Sequence, residues 1–180
     1  MKEEPHELRE RAEAGHHDSS LAPVSLAMAI LAVCVAAVSL LGHRAHTEEL
    51  LLQMQATDHW AYYQAKNIRR HNYEMFLDLL AVTEAKDAER AAKIREKYSH
   101  EVERYREEQK EIETEAKKLE NETKRQRRRA DRLDLGEGFL EVALVITSIT
   151  LLTRRRIFWH LGMLFGLLGV VVAATGLFAH

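Results

Sequence analysis

Residues 44–134 contain neither proline nor glycine, and this absence limits the folds that the chain can adopt. The stretch carries 20 Lys or Arg and 20 Asp or Glu residues, so its net charge is zero. It is rich in the residues that form helices best, and it has no alternating pattern typical of β-strands. We therefore predict an all-α fold with long helices through the centre of the chain.

Three apolar runs flank this charged stretch. A helix needs about 20 apolar residues to cross a hydrocarbon layer of about 30 Å. Residues 22–42 and 157–179 meet that length without a charged side chain, whereas residues 138–153 are fewer and include Glu141. We predict a transmembrane helix in each run. The predicted organisation is a polar, flexible tail at 1–21, spans at 22–42, 138–153 and 157–179, and an extramembrane helical region at 43–134.

The first run follows a tail with three Lys or Arg and six Asp or Glu residues, which favours a retained anchor over a cleaved signal peptide. Two basic clusters give opposite orientations under the positive-inside rule. The turn at 154–156 places the central region outside, and six cations within 124–132 place it in the cytoplasm. The larger cluster favours the cytoplasmic side, and the other orientation stays open. Anionic lipid headgroups are expected at Arg127, Arg128, Arg129, Arg154, Arg155 and Arg156.

One apolar register runs through the second half of the central region with alternating intervals of four and three, as in a coiled coil. Its members are Tyr98, Val102, Tyr105, Gln109, Ile112, Ala116, Leu119, Thr123, Gln126, Ala130 and Leu133. The polar members weaken it as a free-standing dimer, so we expect other helices to cover it. A helical hairpin with a reversal within residues 82–87 supplies such a helix; a less abrupt bend is the alternative.

The helix before this reversal carries two apolar faces. One comprises Leu50, Met54, Ala61, Ala65, Ile68, Met75 and Leu79, and the other begins with Leu52, Ala56, Trp60 and Tyr63. A helix with two apolar faces needs two neighbours. We expect the chain's own second helix on one face and a second copy on the other, which predicts a homo-oligomer.

The aromatic cluster around Trp60 lies 18 residues beyond Gly42, or about 27 Å along a continuous helix, too far for a headgroup belt. A packed core or subunit contact is the favoured interpretation; a ligand site and a helix bent back onto lipid remain open. Contacts between copies are predicted at Leu50, Met54, Trp60, Tyr63 and Ile68.

Small residues recur every three or four positions in the first and third spans. The stripes contain Ser25, Ala29, Ala32, Ala36 and Ser39, and Gly162, Gly166, Gly169, Ala173 and Gly176. Small residues let membrane helices approach closely, so we predict oligomer contacts at Ala29, Ala32, Ala36, Gly162, Gly166 and Gly169. Ser25, Ser39, His43 and Glu141 are candidates for the polar lining of a pore, although Glu141 lies near the polar boundary.

Motifs for catalysis, cofactors and metals are missing. No glycine lies in the polar helical region to hold a phosphate, and serines suited to be nucleophiles are few. His43 and His46 share a helical face, and His16 and His17 lie in the tail, but zinc needs three or four ligands. We expect no enzyme activity, no metal, no cofactor and no nucleic-acid partner.

The sequence of residues 39–74, and above all the segment WAYYQAK at 60–66, resembles a bacterial family of small membrane proteins known as domain of unknown function 4337. That resemblance implies an N-terminal span leading into a polar helix, two closing spans and a location in the bacterial inner membrane. It implies no activity and no functional residue. The sequence as a whole predicts a homo-oligomeric scaffold or assembly protein; the alternative is an oligomeric channel for ions or small solutes.

Overall fold

The computed structural model describes residues 21–84 and 86–178. These residues form three α-helices: α1, Ala22–Val82; α2, Ala88–Thr153; and α3, Arg156–Leu177. No strand occurs within these two ranges. The prediction of an all-α fold is therefore confirmed.

The interruption between α1 and α2 falls within the predicted segment, where polar side chains take the place of glycine or proline. Asp87 Oδ1 accepts a hydrogen bond from the Arg90 backbone N–H at 3.0 Å, which caps the start of α2. Arg95 Nη2 donates to the carbonyl oxygen of Leu80 at 3.3 Å and so satisfies one of the last carbonyl groups of α1.

Only two residues separate α2 from α3. Arg154 adopts a left-handed backbone conformation with φ of 55°, where glycine is normally preferred. Its backbone N–H donates to the carbonyl oxygen of Thr150 at 2.8 Å. The predicted tight turn between the second and third spans thus has an arginine at its most demanding position.

The chain divides into two units. Unit 1 comprises Met1–His46 with Gln126–His180, of which residues 21–46 and 126–178 are described, and unit 2 comprises Thr47–Arg125. The core of unit 1 draws on all three helices: Leu31, Val38 and Ala45 of α1, Ala130, Leu133, Leu140 and Ala143 of α2, and Ala173 of α3.

Each helix contains an apolar segment long enough to cross a membrane. The apolar segment of α1 is the most apolar of the three. That of α2 is the least apolar, and its apolar run is the shortest. Three candidate membrane spans are therefore present, as the sequence predicted.

The buried side of α2 follows the predicted register in each unit. In unit 2 the buried positions are Val102, Tyr105, Gln109, Ile112, Ala116, Leu119 and Thr123. In unit 1 they include Ala130 and Leu133, followed by Leu140, Ala143, Thr147 and Thr150. The spacing of three and four residues, which was predicted for the charged part of α2, therefore continues into its apolar run.

Candidate functional site

Trp60 packs inside unit 2. Its indole N–H donates to Glu120 Oε1 at 2.8 Å, and its ring meets that of Tyr63 edge to face with centroids 5.6 Å apart. Both rings are half-buried, and Ala56, one turn earlier on the same face, is buried. This face of α1 thus contacts α2 within one chain, as in a packed core, which was one of the two forms of burial favoured for the cluster. The predicted contact of Trp60 and Tyr63 with another copy stays a prediction.

Lys66 forms the second contact of this face. Its Nζ donates to Glu108 Oε2 at 2.5 Å and lies 5.1 Å from the ring centroids of both Tyr62 and Tyr105. The hydrogen bond to Glu108 raises the pKa of Lys66, while burial acts in the opposite direction. A charged lysine is therefore held between a carboxylate and two aromatic faces.

Tyr73 continues the aromatic contacts. Its ring stacks on Tyr105 at 5.9 Å and meets Tyr98 at 5.1 Å, and Phe76 lies 6.0 Å from Tyr98. Beside them, Arg106 Nη2 donates to Glu74 Oε1 at 3.2 Å. From Trp60 to Tyr73, successive residues of α1 therefore contact progressively earlier residues of α2.

The opposite face of α1 in unit 2 is exposed. Leu50 and Met54 are each 63% exposed and Ile68 is 62% exposed. We call this surface the outer face; its members, all exposed, are Leu50, Met54, Ala61, Ala65, Ile68, Met75 and Leu79. An apolar surface without one charged member thus remains after the chain's own α2 has covered the Trp60 side.

The small residues of α3 pack within unit 1. Gly162, Gly166 and Gly169 are all buried in the single chain. A Cβ at Gly166 would lie 2.7 Å from Leu31 Cδ2, and one at Gly169 would lie 2.8 Å from Leu140 Cγ. The predicted close approach is present, and at these three positions it joins helices of one chain. The predicted contact between copies at these glycines stays a prediction.

The small residues of α1, unlike those of α3, are mostly exposed in the single chain. Ala29, Ala32 and Ala36 are exposed on unit 1, as is Ser25. A single chain therefore leaves these four positions of the stripe uncovered, while Ser39 is half-buried.

The candidate pore residues lie on the surface of unit 1 or partly below it. The Nδ1–H of His43 donates to the Ser39 carbonyl oxygen at 2.8 Å, one turn earlier on α1. Glu141 is exposed on α2, while its neighbour Leu140 is fully buried. No channel lining forms within the described part of one chain from these three residues.

The basic residues proposed to meet lipid headgroups lie outside the core of unit 1. Arg127 and Arg128 are exposed and Arg129 is half-buried on α2. The other three, Arg154, Arg155 and Arg156, are exposed at the turn between α2 and α3. They thus occupy two separate stretches of the unit, as the sequence indicates.

Sequence reasoning missed the polar contacts that join the spans near their other ends. His46 Nε2–H donates to Asp134 Oδ2 at 2.8 Å, which links α1 to α2. Arg132 Nη1 donates to Thr175 Oγ1 at 3.1 Å, which links α2 to α3. No local pattern reveals such pairs because their members lie 88 and 43 residues apart.

Within residues 21–84 and 86–178, no group of three or more His, Cys, Asp or Glu side chains is placed to hold a metal ion. His43 and His46, where no zinc site was expected, are among the described residues. His16 and His17 lie outside the described residues. Cys34 is a half-buried free thiol.

The sequence was compared with family models, curated proteins and solved structures. The latter two comparisons gave no match. The family model named "Domain of unknown function (DUF4337)" matches residues 20–179, which include all three helices. The chain therefore belongs to the DUF4337 family, as the WAYYQAK segment indicated.

Proposed function

We propose that this protein is an integral membrane scaffold that assembles with further copies of itself. In this proposal α1 and α2 form a helical hairpin outside the bilayer, with coiled-coil packing along the inner seam, and unit 1 anchors it. The observation that carries the proposal is the outer face, because an apolar helix surface exposed in the single chain is typical of a surface covered by a partner.

The spacing of the outer face favours another helix as its occupant. Its members recur mainly at intervals of three and four, and the register contains no charged side chain between Leu50 and Leu79. Residues with long apolar side chains, such as Met54, Ile68 and Met75, adapt to a facing helix of the same kind. A second copy supplies an identical surface, so a symmetric contact requires no other protein.

The first span supports the same assembly. Its exposed alanines allow two membrane helices to approach closely. Such packing is needed because the hydrophobic effect does not drive helices together within lipid. We place the assembly in a bacterial inner membrane, and the basic cluster within 124–132 favours a cytoplasmic hairpin.

The oligomeric mass of the full chain in mild detergent tests the scaffold. We expect a multiple of the chain mass of 20.7 kDa. The double variant Met54→Glu with Ile68→Glu should lower that multiple, because two buried carboxylates would oppose the contact. Gln55→Glu adds one carboxylate at an exposed position beside the outer face and should leave the mass unchanged, whereas Met54→Glu alone should lower it.

These variants separate assembly from folding. Both altered side chains are exposed in the single chain, so helix content by circular dichroism should stay at the wild-type level. A single-chain mass for the wild type, or an unchanged multiple for the double variant, would count against the scaffold.

A channel built from several copies is the second candidate, and the exposure of Glu141 favours it. A carboxylate on a candidate span is stable where it faces water, headgroups or a polar contact between copies. In the channel, Glu141→Gln changes the conductance or ion selectivity of reconstituted liposomes, and Ser39→Ala has a smaller effect. Liposomes that hold an ion gradient as well with the protein as without it would exclude this candidate.

A further inference from the structure

A cavity of about 480 Å³ lies at the end of unit 1 where α2 turns into α3. All three helices contribute to its wall. The lining residues are Leu21, Pro23, Val24, Thr150, Arg154, Arg156 and Trp159. The volume falls within the range of small-molecule sites, about 300 to 1,000 Å³.

Two buried hydrogen-bond donors on this lining have no acceptor among the described residues. Thr150 is 2% exposed, and its Oγ1 has no hydrogen-bond partner within the described residues. The hydroxyls of Thr147 and Thr153, on the same helix, each donate to a carbonyl oxygen one turn earlier. The second donor is the Nε1–H of Trp159, which is also buried without a partner there. A ligand that satisfies both groups must present acceptor atoms.

The charge of the lining also favours a ligand with acceptor atoms. Arg154 and Arg156 bring two guanidinium groups, and no Asp or Glu occurs among the described residues of the wall. Helix α3 begins at Arg156, a lining residue, without a side-chain cap, so the positive end of the helix lies beside the cavity. An anion rich in acceptor oxygens matches this set of groups, and a cation does not.

The position of the cavity identifies the kind of anion. The apolar runs of all three spans end beside it, near Ala22, Thr153 and Ile157, so it lies at headgroup level when the spans cross a bilayer. Trp159 has the position typical of interfacial tryptophans. Leu21, Pro23 and Val24 form an apolar wall next to the cations, which suits a molecule with both a phosphate and an acyl chain.

We propose that this cavity binds the phosphate headgroup of one anionic phospholipid, with Thr150, Trp159 and Arg156 as its main contacts. The proposal rests on the membrane location in the proposed function but not on oligomerisation. Arg154 contributes charge from its left-handed turn position.

Titration of the full chain in a neutral maltoside detergent tests the site. A Trp60→Phe background leaves Trp159 as the only tryptophan, so its fluorescence reports binding at the cavity. The probes are dihexanoyl phosphatidylglycerol, dihexanoyl phosphatidylcholine and inorganic phosphate. We expect phosphatidylglycerol to bind about tenfold more tightly than phosphatidylcholine, since the choline cation opposes the two arginines, and inorganic phosphate not to displace it.

Two variants and a control complete the test. Thr150→Val keeps the shape of the side chain and removes its donor, so it should weaken phosphatidylglycerol binding about fivefold. Arg156→Gln should weaken it by a similar factor. Thr153→Val removes a hydroxyl that donates within α2 and accepts from the Arg155 backbone N–H at 3.5 Å. Because Thr153 is not a lining residue, this change should not alter the affinity.

The proposal is wrong when Thr150→Val binds phosphatidylglycerol as tightly as the parent, or when the two lipids bind equally. Displacement of the lipid by inorganic phosphate at equal concentration would assign the cavity to a soluble anion instead. Flotation with liposomes separates this failure from a failure of the membrane location, because a protein that floats without binding phosphatidylglycerol loses only the lipid site.

Discussion

Gly136 of α2 and Gly169 of α3 face each other so closely that a Cβ on either residue would lie 2.9 Å from the carbonyl oxygen of the other. A Cβ at Gly136 would also lie 2.7 Å from Ala173 Cβ and 2.8 Å from the Ala173 backbone nitrogen. Backbone atoms cannot move aside as a flexible side chain can. The approach of α2 to α3 in unit 1 therefore depends on the absence of a side chain at both positions.

Gly136→Ala should lower the thermal stability of the protein. Alanine favours a helix over glycine by about 1 kcal/mol, and overpacking costs about 1–3 kcal/mol. Because backbone atoms of α3 lie under 3.0 Å from the added Cβ, we expect the upper part of that cost and a net loss. Gly138→Ala is the matched control, because nothing lies within 4 Å of a Cβ at that position. It should leave stability unchanged or raise it. Melting curves by circular dichroism in mild detergent compare the two, and a Gly136→Ala protein that melts at or above the wild-type temperature would contradict the packing argument.

The sequence was a good guide to local structure but not to the partners of each face. The long helices and the buried register of α2 follow from helix-forming residues and the spacing of apolar side chains. The interruption before Asp87 was expected because the apolar register needs a second helix to cover it, not because a breaker residue marks it. The glycines of α3 form a close contact as predicted, but spacing alone does not distinguish a helix of the same chain from one of another copy. Gly136 was missed because it precedes the run taken as the second span and has no small neighbour one turn away.

Trp60 illustrates the same limit. An aromatic cluster on a charged helix predicts burial, because its apolar area is large. Its hydrogen-bond acceptor, Glu120, lies 60 residues away and looks like any other glutamate of the charged stretch. Thr150 was read only as part of an apolar run, and its unpartnered hydroxyl becomes visible when three helices close around it.

Gln109→Leu should stabilise unit 2. Gln109 is 3% exposed, and neither its amide nitrogen nor its amide oxygen has a hydrogen-bond partner within the described residues. Leaving buried polar atoms unpaired costs about 1–3 kcal/mol, and leucine of similar size removes that cost. We expect a higher melting temperature for the full chain.

Glu107→Leu, at an exposed position two residues away, controls for a general effect of added leucine and should change little. A lower melting temperature for Gln109→Leu would mean that the amide finds partners in the assembled protein, which would contradict its description as unpaired.

Alkaline pH should weaken unit 2 through Lys66. Its pKa is raised in the folded protein, chiefly by the hydrogen bond to Glu108, so the folded state holds the proton more tightly than the unfolded state. The resulting stabilisation is complete below the unfolded pKa of about 10.4 and is lost as pH rises through the folded pKa. Stability should therefore fall above about pH 10.

Lys66→Met isolates this contribution from the tyrosines, which titrate in the same range. We expect the substitution to lower the free energy of unfolding by about 1 kcal/mol at neutral pH. It should also make the melting temperature depend less on pH in the alkaline range. A double-mutant cycle with Glu108→Gln should show that the two substitutions are not additive. Additive losses, or an unaltered alkaline slope in Lys66→Met, would show that the pair does not act as a unit.

Ala32→Leu should reduce assembly of the protein without reducing the stability of its single chain. Ala32 is exposed on the small stripe of α1, so a leucine there lies outside the core of its own chain but prevents the close approach of a helix from another copy. Ala37→Leu adds the same side chain to another exposed position of the span, off the stripe, and should leave the oligomer intact. Masses in mild detergent at equal protein concentration give the comparison. Because the outer face of unit 2 still offers its own contact, we expect a shift in the concentration at which copies associate; equal shifts for both variants would remove the stripe from the interface.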